Sequence, residues 1–286
     1  MEEYIKLELN DKIKFLFESL DKSTILPQLA KDYNKEKHKI NWDTAYANFK
    51  FDGMRCMAVI KNKTVKLVSR KGKIIENMHH IENKLLSLYG DMEIILDGEL
   101  YTSPNETFQQ NMSYIKKYRK GLSEKINFYI YDVVTNKTQS ERLEILEGLR
   151  YDTCLKKVEY VKIHNEEELK EFHSQAVSDG FEGSMVRWGD DVYKVNGRSS
   201  YLLKYKDFLD TTATIIDIIP AEQRPEWGVP VFDGFKAGVK LSHEERVELL
   251  QNKDEYIGKT AELRYFELTD DGKPRFGVMV GIRLDK

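Results

Sequence analysis

The stretch KFDGMR, residues 50–55, sets a lysine, an aspartate, a glycine and an arginine inside what otherwise reads as sheet. AYAN precedes it and the alternating CMAVI follows. A lysine amine is a covalent nucleophile when it is neutral. At the ordinary pKa of about 10.4, only about one lysine in 2,500 is neutral at pH 7. A second positive charge about 4 Å away, at an effective dielectric near 20, costs about 4 kcal/mol, or roughly three pKa units. Arg55 is one such cation close in sequence. Gly53 lets the backbone approach a phosphate closely. K-x-D-G alone is a weak signal, since a strand edge with a turn would also produce it.

Further groups of this kind follow along the chain. SRKGK brings Arg70 and Lys73, ILDGEL brings Glu99, FYIYDVV brings Tyr131, and EGSMVR brings Glu182. LLKYKDF carries Lys204 and Lys206, and GIRLDK carries Arg283 and Lys286. On a strand, residues two apart share a face, so Lys204 and Lys206 should point one way and Tyr205 the other. A K-x-K pair is most often a solvated face, but the flanking YLL and FL argue against a fully exposed strand here.

These residues need elements to position them. β-branched and aromatic runs predict strands at 54–60, 65–69, 93–101, 126–134, 184–188 and 201–206. Helices are predicted in NDKIKFLFESL, in NMHHIENKLLSLYG with Asn77 as its cap, and in NEEELKEFHSQAVSDG with Asn165 capping. Glu168 stands three residues after Asn165, completing a capping box. Leu169, Phe172 and Ala176 then line one face. After about Asp210 the character changes. TTATIIDII reads as a strand, AEQRPEWGVPVFDG as loop-rich, SHEERVELLQN as a short capped helix, and KTAELRYFELTDDGKPRFGVMVGIRL as two strands joined at a D-G turn. Short strands with one helix are the profile of a small barrel such as an OB-fold. The chain therefore divides into a large mixed α+β domain, residues 1–208, and a barrel, residues 209–286.

Of the 286 residues, 33% are charged and 41% hydrophobic, a soluble balance able to bury a core. The net charge of −3 argues against a uniformly basic nucleic-acid binder. Charge is nevertheless uneven. Residues 31–73 hold twelve Lys and Arg against four Asp and Glu, KKYRK at 116–120 is a second basic cluster, and 76–106 is acidic. Cys56 and Cys154 form no metal or redox motif, which fits a reduced, intracellular, cytoplasmic setting. The N-terminus lacks an apolar core, so no signal peptide is expected, and no apolar run approaches membrane-spanning length.

Taken in order, these motifs resemble those of the ATP-dependent DNA ligases in the covalent nucleotidyltransferase superfamily, from about Leu26 to Lys286. The first 25 residues carry no recognised motif. The resemblance implies a nucleotidyltransferase domain of ATP-grasp-like antiparallel sheets with helices, followed by a C-terminal OB-fold β-barrel. It implies that Lys50 attacks the α-phosphate of ATP to give lysyl-AMP, with Asp52 holding the lysine and the local backbone. Arg55 would contact the ribose or the DNA 5′-phosphate, Arg70 the AMP or nick phosphate, and Glu99 the ribose hydroxyl. Tyr131 would stack on adenine. Glu99 and Glu182 would hold Mg2+, with Mn2+ as a substitute; magnesium takes few carboxylates plus phosphate oxygens and water. Lys204 and Lys206 would lower the pKa of Lys50 and stabilise phosphoryl transfer. Arg283 and Lys286 would orient the leaving pyrophosphate.

The resemblance further implies a monomer acting on nicked duplex DNA, with no membrane. AMP would pass from ATP to Lys50, then to the 5′-phosphate, and leave when the 3′-hydroxyl attacks. The barrel would move between steps about Lys206–Asp210. The motif of Glu182 ends in Arg187, where many members carry lysine, which keeps the charge but changes the geometry. With 49 residues ahead of Lys50, the chain resembles the minimal two-domain type found in viruses and some bacteria. Three alternatives share much of the pattern: an RNA ligase, an mRNA capping guanylyltransferase, and a non-catalytic nucleic-acid clamp with a relic pocket. The missing cysteine-rich zinc module disfavours a NAD-dependent ligase.

Overall fold

The computed structural model describes residues 26–283. The helix expected in NDKIKFLFESL and the C-terminal Lys286 lie outside the described residues. The chain divides into two compact units, Met1–Tyr205 and Lys206–Lys286; the sequence alone placed the division after residue 208. No helix among the described residues is long and apolar enough to cross a membrane.

Two five-stranded sheets carry the first unit. One runs in the order β1 (Leu29–Asp32), β10 (Arg198–Tyr205), β9 (Gly183–Arg187), β2 (Tyr46–Lys50), β8 (Val161–Lys162). The other runs β4 (Thr64–Ser69), β3 (Met54–Lys61), β5 (Ile94–Tyr101), β6 (Asn127–Val133), β7 (Leu155–Lys157). Neighbouring strands are antiparallel except for β1 with β10 and β6 with β7, which are parallel.

Alternation along β5 explains how the second sheet divides its labour. Ile94, Leu96 and Leu100 enter a large core shared with the helices His79–Tyr89, Phe108–Lys116 and Gln139–Gly148. Ile95 joins a separate core on the opposite face, where Asp97 and Glu99 follow it at period two. In the first sheet, Ala47, Val186 and Leu203 pack against Leu169 of the helix Glu166–Ser178. Asn165 caps that helix by accepting from the Glu168 N–H at 2.8 Å. The Glu168 carboxylate answers to the His164 N–H rather than to Asn165's own, so the box is displaced by one residue. His173 is a buried member of this helix that the apolar pattern did not mark. Asn77 is not the cap of His79–Tyr89. The helix starts after Met78, and the Asn77 amide donates to the Lys116 carbonyl at 2.9 Å instead.

Lys50 is the last residue of β2 and Met54 the first of β3. Residues 51–53 are therefore where the chain leaves one sheet and enters the other. A Cβ on Gly53 would stand 2.2 Å from the Leu100 carbonyl oxygen, so only glycine passes. Gly98 is similarly tight, with the Tyr129 carbonyl oxygen 2.3 Å from where its Cβ would be, beside a bulge in the β5–β6 ladder.

The second unit contains a four-stranded sheet ordered β11 (Leu209–Thr214), β16 (Thr260–Tyr265), β19 (Val278–Ile282), β15 (Gly238–Val239). A three-stranded sheet runs β12 (Asp217–Pro220), β13 (Gly228–Phe232), β14 (Phe235–Lys236), and β17 (Glu267–Leu268) pairs with β18 (Pro274–Arg275). The predicted strand TTATIIDII is two strands, broken where Ile215 turns into the core while Ile216 stays exposed. The loop-rich stretch AEQRPEWGVPVFDG also contains β13, in which Pro230 sits opposite Ile218 within the ladder. The D-G turn joins the short pair β17–β18, with Gly272 at φ +75°, rather than two long strands. The helix His243–Gln251 opens with Ser242 and Glu245 in a capping box and packs Leu249 into the barrel core.

Because the obstacle at Gly53 is backbone, Gly53→Ala cannot be relieved by a side-chain rotation. We expect a loss of about 1–3 kcal/mol, read as a lower Tm in thermal unfolding. A Tm equal to the parent's would show that β3 and β5 can part without cost.

Candidate active site

β2 and β9 set the centre of the site. Lys50 pairs with Gly183 across the ladder, and the Glu182 N–H donates to the Lys50 carbonyl at 2.9 Å. The Lys50 ammonium then donates to Glu182 Oε2. Backbone and side-chain contacts thus fix the same two residues. Glu182 is buried, while the Lys50 side chain keeps 21% of its surface exposed.

A cavity of about 170 Å³ opens at Lys50. The first sheet supplies Asn48 and Lys50 from β2 and Lys204 from β10. The second supplies Arg55 from β3, Glu99 from β5 and Tyr131 from β6. Arg70, just past β4, completes the rim. Lys50, Arg55, Arg70, Glu99, Tyr131 and Lys204, all singled out in the sequence, therefore line one pocket, and Glu182 touches Lys50 directly.

The electrostatics differ from residue to residue. Burial pushes the Glu99 carboxyl up to about 7, against the opposing pull of Lys50 and Arg55. The Tyr131 hydroxyl donates to Glu99 at 3.4 Å, and burial holds it well above its usual range. Burial also lowers the Lys204 amine, and the positive charge of Lys50 lowers it further. Arg55 is more constrained than the sequence suggested. Its Nε donates to Asp97 Oδ1 at 2.7 Å, and its Nη2 donates to Asp97 Oδ2 and, at 3.1 Å, to the Gln28 carbonyl. Its guanidinium lies 5.0 Å from the centre of the Tyr131 ring. Asp52, in the crossing, is close enough to Tyr101 that its charge adds to burial in raising that hydroxyl.

The remaining candidates stand elsewhere. β10 ends at Tyr205, so Lys206 lies one residue past the strand; it belongs to the second unit, 4.4 Å from the centre of the Phe266 ring. Tyr205 stacks on His173 at 3.8 Å, on the face opposite Lys204, as alternation requires. Arg283 is exposed in the second unit, its N–H donating to the Thr260 carbonyl at 2.8 Å and its Nε to Glu262 at 3.2 Å. Lys286 lies outside the described residues.

Several residues in and behind the pocket were missed. Asp97 anchors Arg55 and accepts from the Tyr193 hydroxyl at 2.6 Å, and that hydroxyl in turn accepts from the Gln28 N–H at 3.0 Å. Asp132 receives Arg142 and Arg187 together. Burial opposes its charge, and the two guanidiniums override that and hold its carboxyl below the usual range. Asn48 is buried, lines the cavity, and has an Oδ1 without a hydrogen-bond partner among the described residues. Its signal was its place two residues before Lys50, on the same face of the strand. Among the described residues, no three His, Cys, Asp or Glu side chains gather as a metal site.

A lysine-bearing pocket between two sheets, followed by an OB-like barrel, is the arrangement of a two-domain nucleotidyltransferase. The ATP dependent DNA ligase domain matches residues 25–206, and the DNA ligase OB-like domain matches residues 229–283. The chain is 25% identical over 264 residues to a DNA ligase of African swine fever virus (isolate Warthog/Namibia/Wart80/1980), covering 82% of this chain. It spans 61% of the length of that relative. The solved Chlorella virus DNA ligase-adenylate is 30% identical, with a TM-score of 0.51 over 92% of this chain and 100% of the other. A structure of the Lig E DNA ligases, described as binding DNA with a minimal scaffold, has the same fold, with a TM-score of 0.70 at 22% identity over 90% of this chain and 99% of the other. The chain belongs to the family of ATP-dependent DNA ligases.

Glu99 makes a pH prediction. Its folded pKa of about 7 lies above the ordinary carboxyl value of 4.5, so the folded state holds the proton more tightly than the unfolded state. The stability it gives is fully present below about pH 4.5 and is lost as pH rises to about 7. Glu99→Gln should remove this slope, leaving the variant more stable than the parent at pH 8, by up to roughly 3 kcal/mol. Parallel denaturant titrations at pH 5 and pH 8 check this; equal pH dependence in both proteins would contradict it.

Proposed function

We propose that this chain is an ATP-dependent DNA ligase that seals nicks with 5′-phosphate and 3′-hydroxyl ends in duplex DNA, acting as a monomer of two domains. The observation that carries the reading is the convergence of Lys50, Glu99, Tyr131 and Lys204 from four strands of two sheets on one cavity.

In the first step the Lys50 nitrogen bonds to the α-phosphorus of ATP, the α–β anhydride bond breaks, and pyrophosphate leaves. Glu182, in contact with the amine, is placed to take its proton. Lys204 and Arg70 face the phosphates; neither has an ion-pair partner among the described residues. Arg55 is mainly a positioning residue for Tyr131, with its Nη1 left for the ribose or a phosphate. Tyr131 offers its ring to adenine. The unpartnered Asn48 Oδ1 can accept from the amino group of adenine, whereas guanine presents a carbonyl at the corresponding position, so this wall supports ATP over GTP. In the second step a 5′-phosphate oxygen attacks the phosphorus of lysyl-AMP and frees the Lys50 amine. In the third the 3′-hydroxyl bonds to the 5′-phosphorus and AMP leaves.

Glu99 and Glu182 suit Mg2+, or Mn2+ in its place, when nucleotide phosphates and water complete the shell. Such an ion supplies a Lewis acid that draws charge from the phosphate. Lys206, Arg283 and Lys286 are assigned to the first step through the barrel.

Incubation with labelled ATP or GTP, followed by a denaturing gel and a nick-sealing assay, tests the reading. Label from ATP and sealed product are expected; label from GTP alone would favour a capping enzyme. Tyr131→Ala should raise the ATP concentration needed about tenfold or more, while Tyr131→Phe should change it little, because stacking needs the ring. A lower Tm with unchanged ATP dependence in both variants would assign Tyr131 to packing.

A further inference from the structure

The basic cluster Lys116–Lys120 takes no part in the pocket. It begins on the last residue of the helix Phe108–Lys116 and continues into the loop that leads to β6, the strand carrying Tyr131. All five residues are exposed. None of Lys116, Lys117, Arg119 and Lys120 makes an ion pair or a side-chain hydrogen bond among the described residues. Four like charges side by side repel one another, and no carboxylate among the described residues pairs with them.

Two carboxylates lie close enough in sequence to neutralise them, and both are turned elsewhere. Glu106 accepts from Lys125 at 3.2 Å and from the Tyr114 hydroxyl at 3.2 Å. Glu124 accepts from the Tyr118 hydroxyl at 2.6 Å and from the Gly121 N–H at 2.7 Å. These contacts brace the loop instead. The buried Ser123 hydroxyl donates to the Tyr114 carbonyl at 2.8 Å and accepts from the Arg119 N–H at 2.9 Å. Asn77 holds the Lys116 carbonyl. The charges thus stand on a fixed backbone, unlike those of a free basic tail. On a chain of net charge −3, a braced and unneutralised cationic loop fits a polyanion of regular charge spacing.

Resting on the ligase reading, we propose that residues 116–120 grip the phosphodiester backbone of duplex DNA away from the nick. The loop reads no bases and contributes equally to nicked and intact duplex. It plays no part in the transfer of AMP to Lys50.

The test uses the full chain with Lys116→Gln, Lys117→Gln, Arg119→Gln and Lys120→Gln together. Labelling by ATP without DNA should match the parent, which also reports that the pocket is folded. Binding to a labelled nicked duplex, and to the same duplex intact, is measured over a series of salt concentrations. If all four cations meet phosphates, the slope of log K against log salt should fall by about 3.6 for both duplexes. The pair Lys117→Gln, Lys120→Gln should lose about half as much. An unchanged slope would overturn the proposal and leave the patch for another partner, such as an acidic protein surface. A slope lost for the nicked duplex alone would overturn it too. A parent that binds duplex but takes no label from ATP would overturn the ligase reading by itself.

Discussion

The site depends on one close approach, that of Gly53 to the carbonyl of Leu100. There the chain leaves the first sheet and enters the second within three residues. Lys50 is fixed by β9 on one side of the crossing, and Arg55 begins the opposite wall on the other. A side chain on Gly53 would force the sheets apart at the point where they must share a cavity. The sequence K-x-D-G is therefore as much a statement about sheet geometry as about a nucleophile.

Charge pairing then decides which groups remain for a ligand. Asp97 occupies most of the fork of Arg55, and Asp132 receives both Arg142 and Arg187. Buried pairs of this kind add little net stability, because desolvation offsets their attraction, but they fix geometry. Lys204 is different. Burial and Lys50 depress its amine, and no carboxylate pairs with it among the described residues. A phosphate arriving there would relieve an existing repulsion, and the same holds for Arg70 at the rim. The pocket thus keeps its unmatched positive charge where an anionic ligand would enter.

Much of this was legible in the sequence, for identifiable reasons. Period two placed Lys204 and Tyr205 on opposite faces, and β-branched runs located the strands bearing Glu99 and Tyr131. What failed was long-range. Nothing local in TTATIIDII marks the corner at Ile215–Ile216, because that bend is set by the barrel core. Lys206 falls one residue past the end of β10, since element ends are set by partners absent from the local pattern. Asp97, Asp132 and Tyr193 were missed because their roles arise only when distant strands and loops bring arginines or carboxylates to them. Asn77 looks like a helix cap by type, yet tertiary contact with the end of another helix claimed its amide.

In the proposed reaction Lys50, paired with Glu182 at the sheet crossing, is the group that takes AMP. Peptide mapping by mass spectrometry after incubation with ATP and magnesium tests it most directly. An AMP adduct is expected on the peptide containing Lys50 and none in Lys50→Ala. An adduct on Lys204, Lys206 or any other lysine, or undiminished labelling of the Lys50→Ala protein, would contradict it.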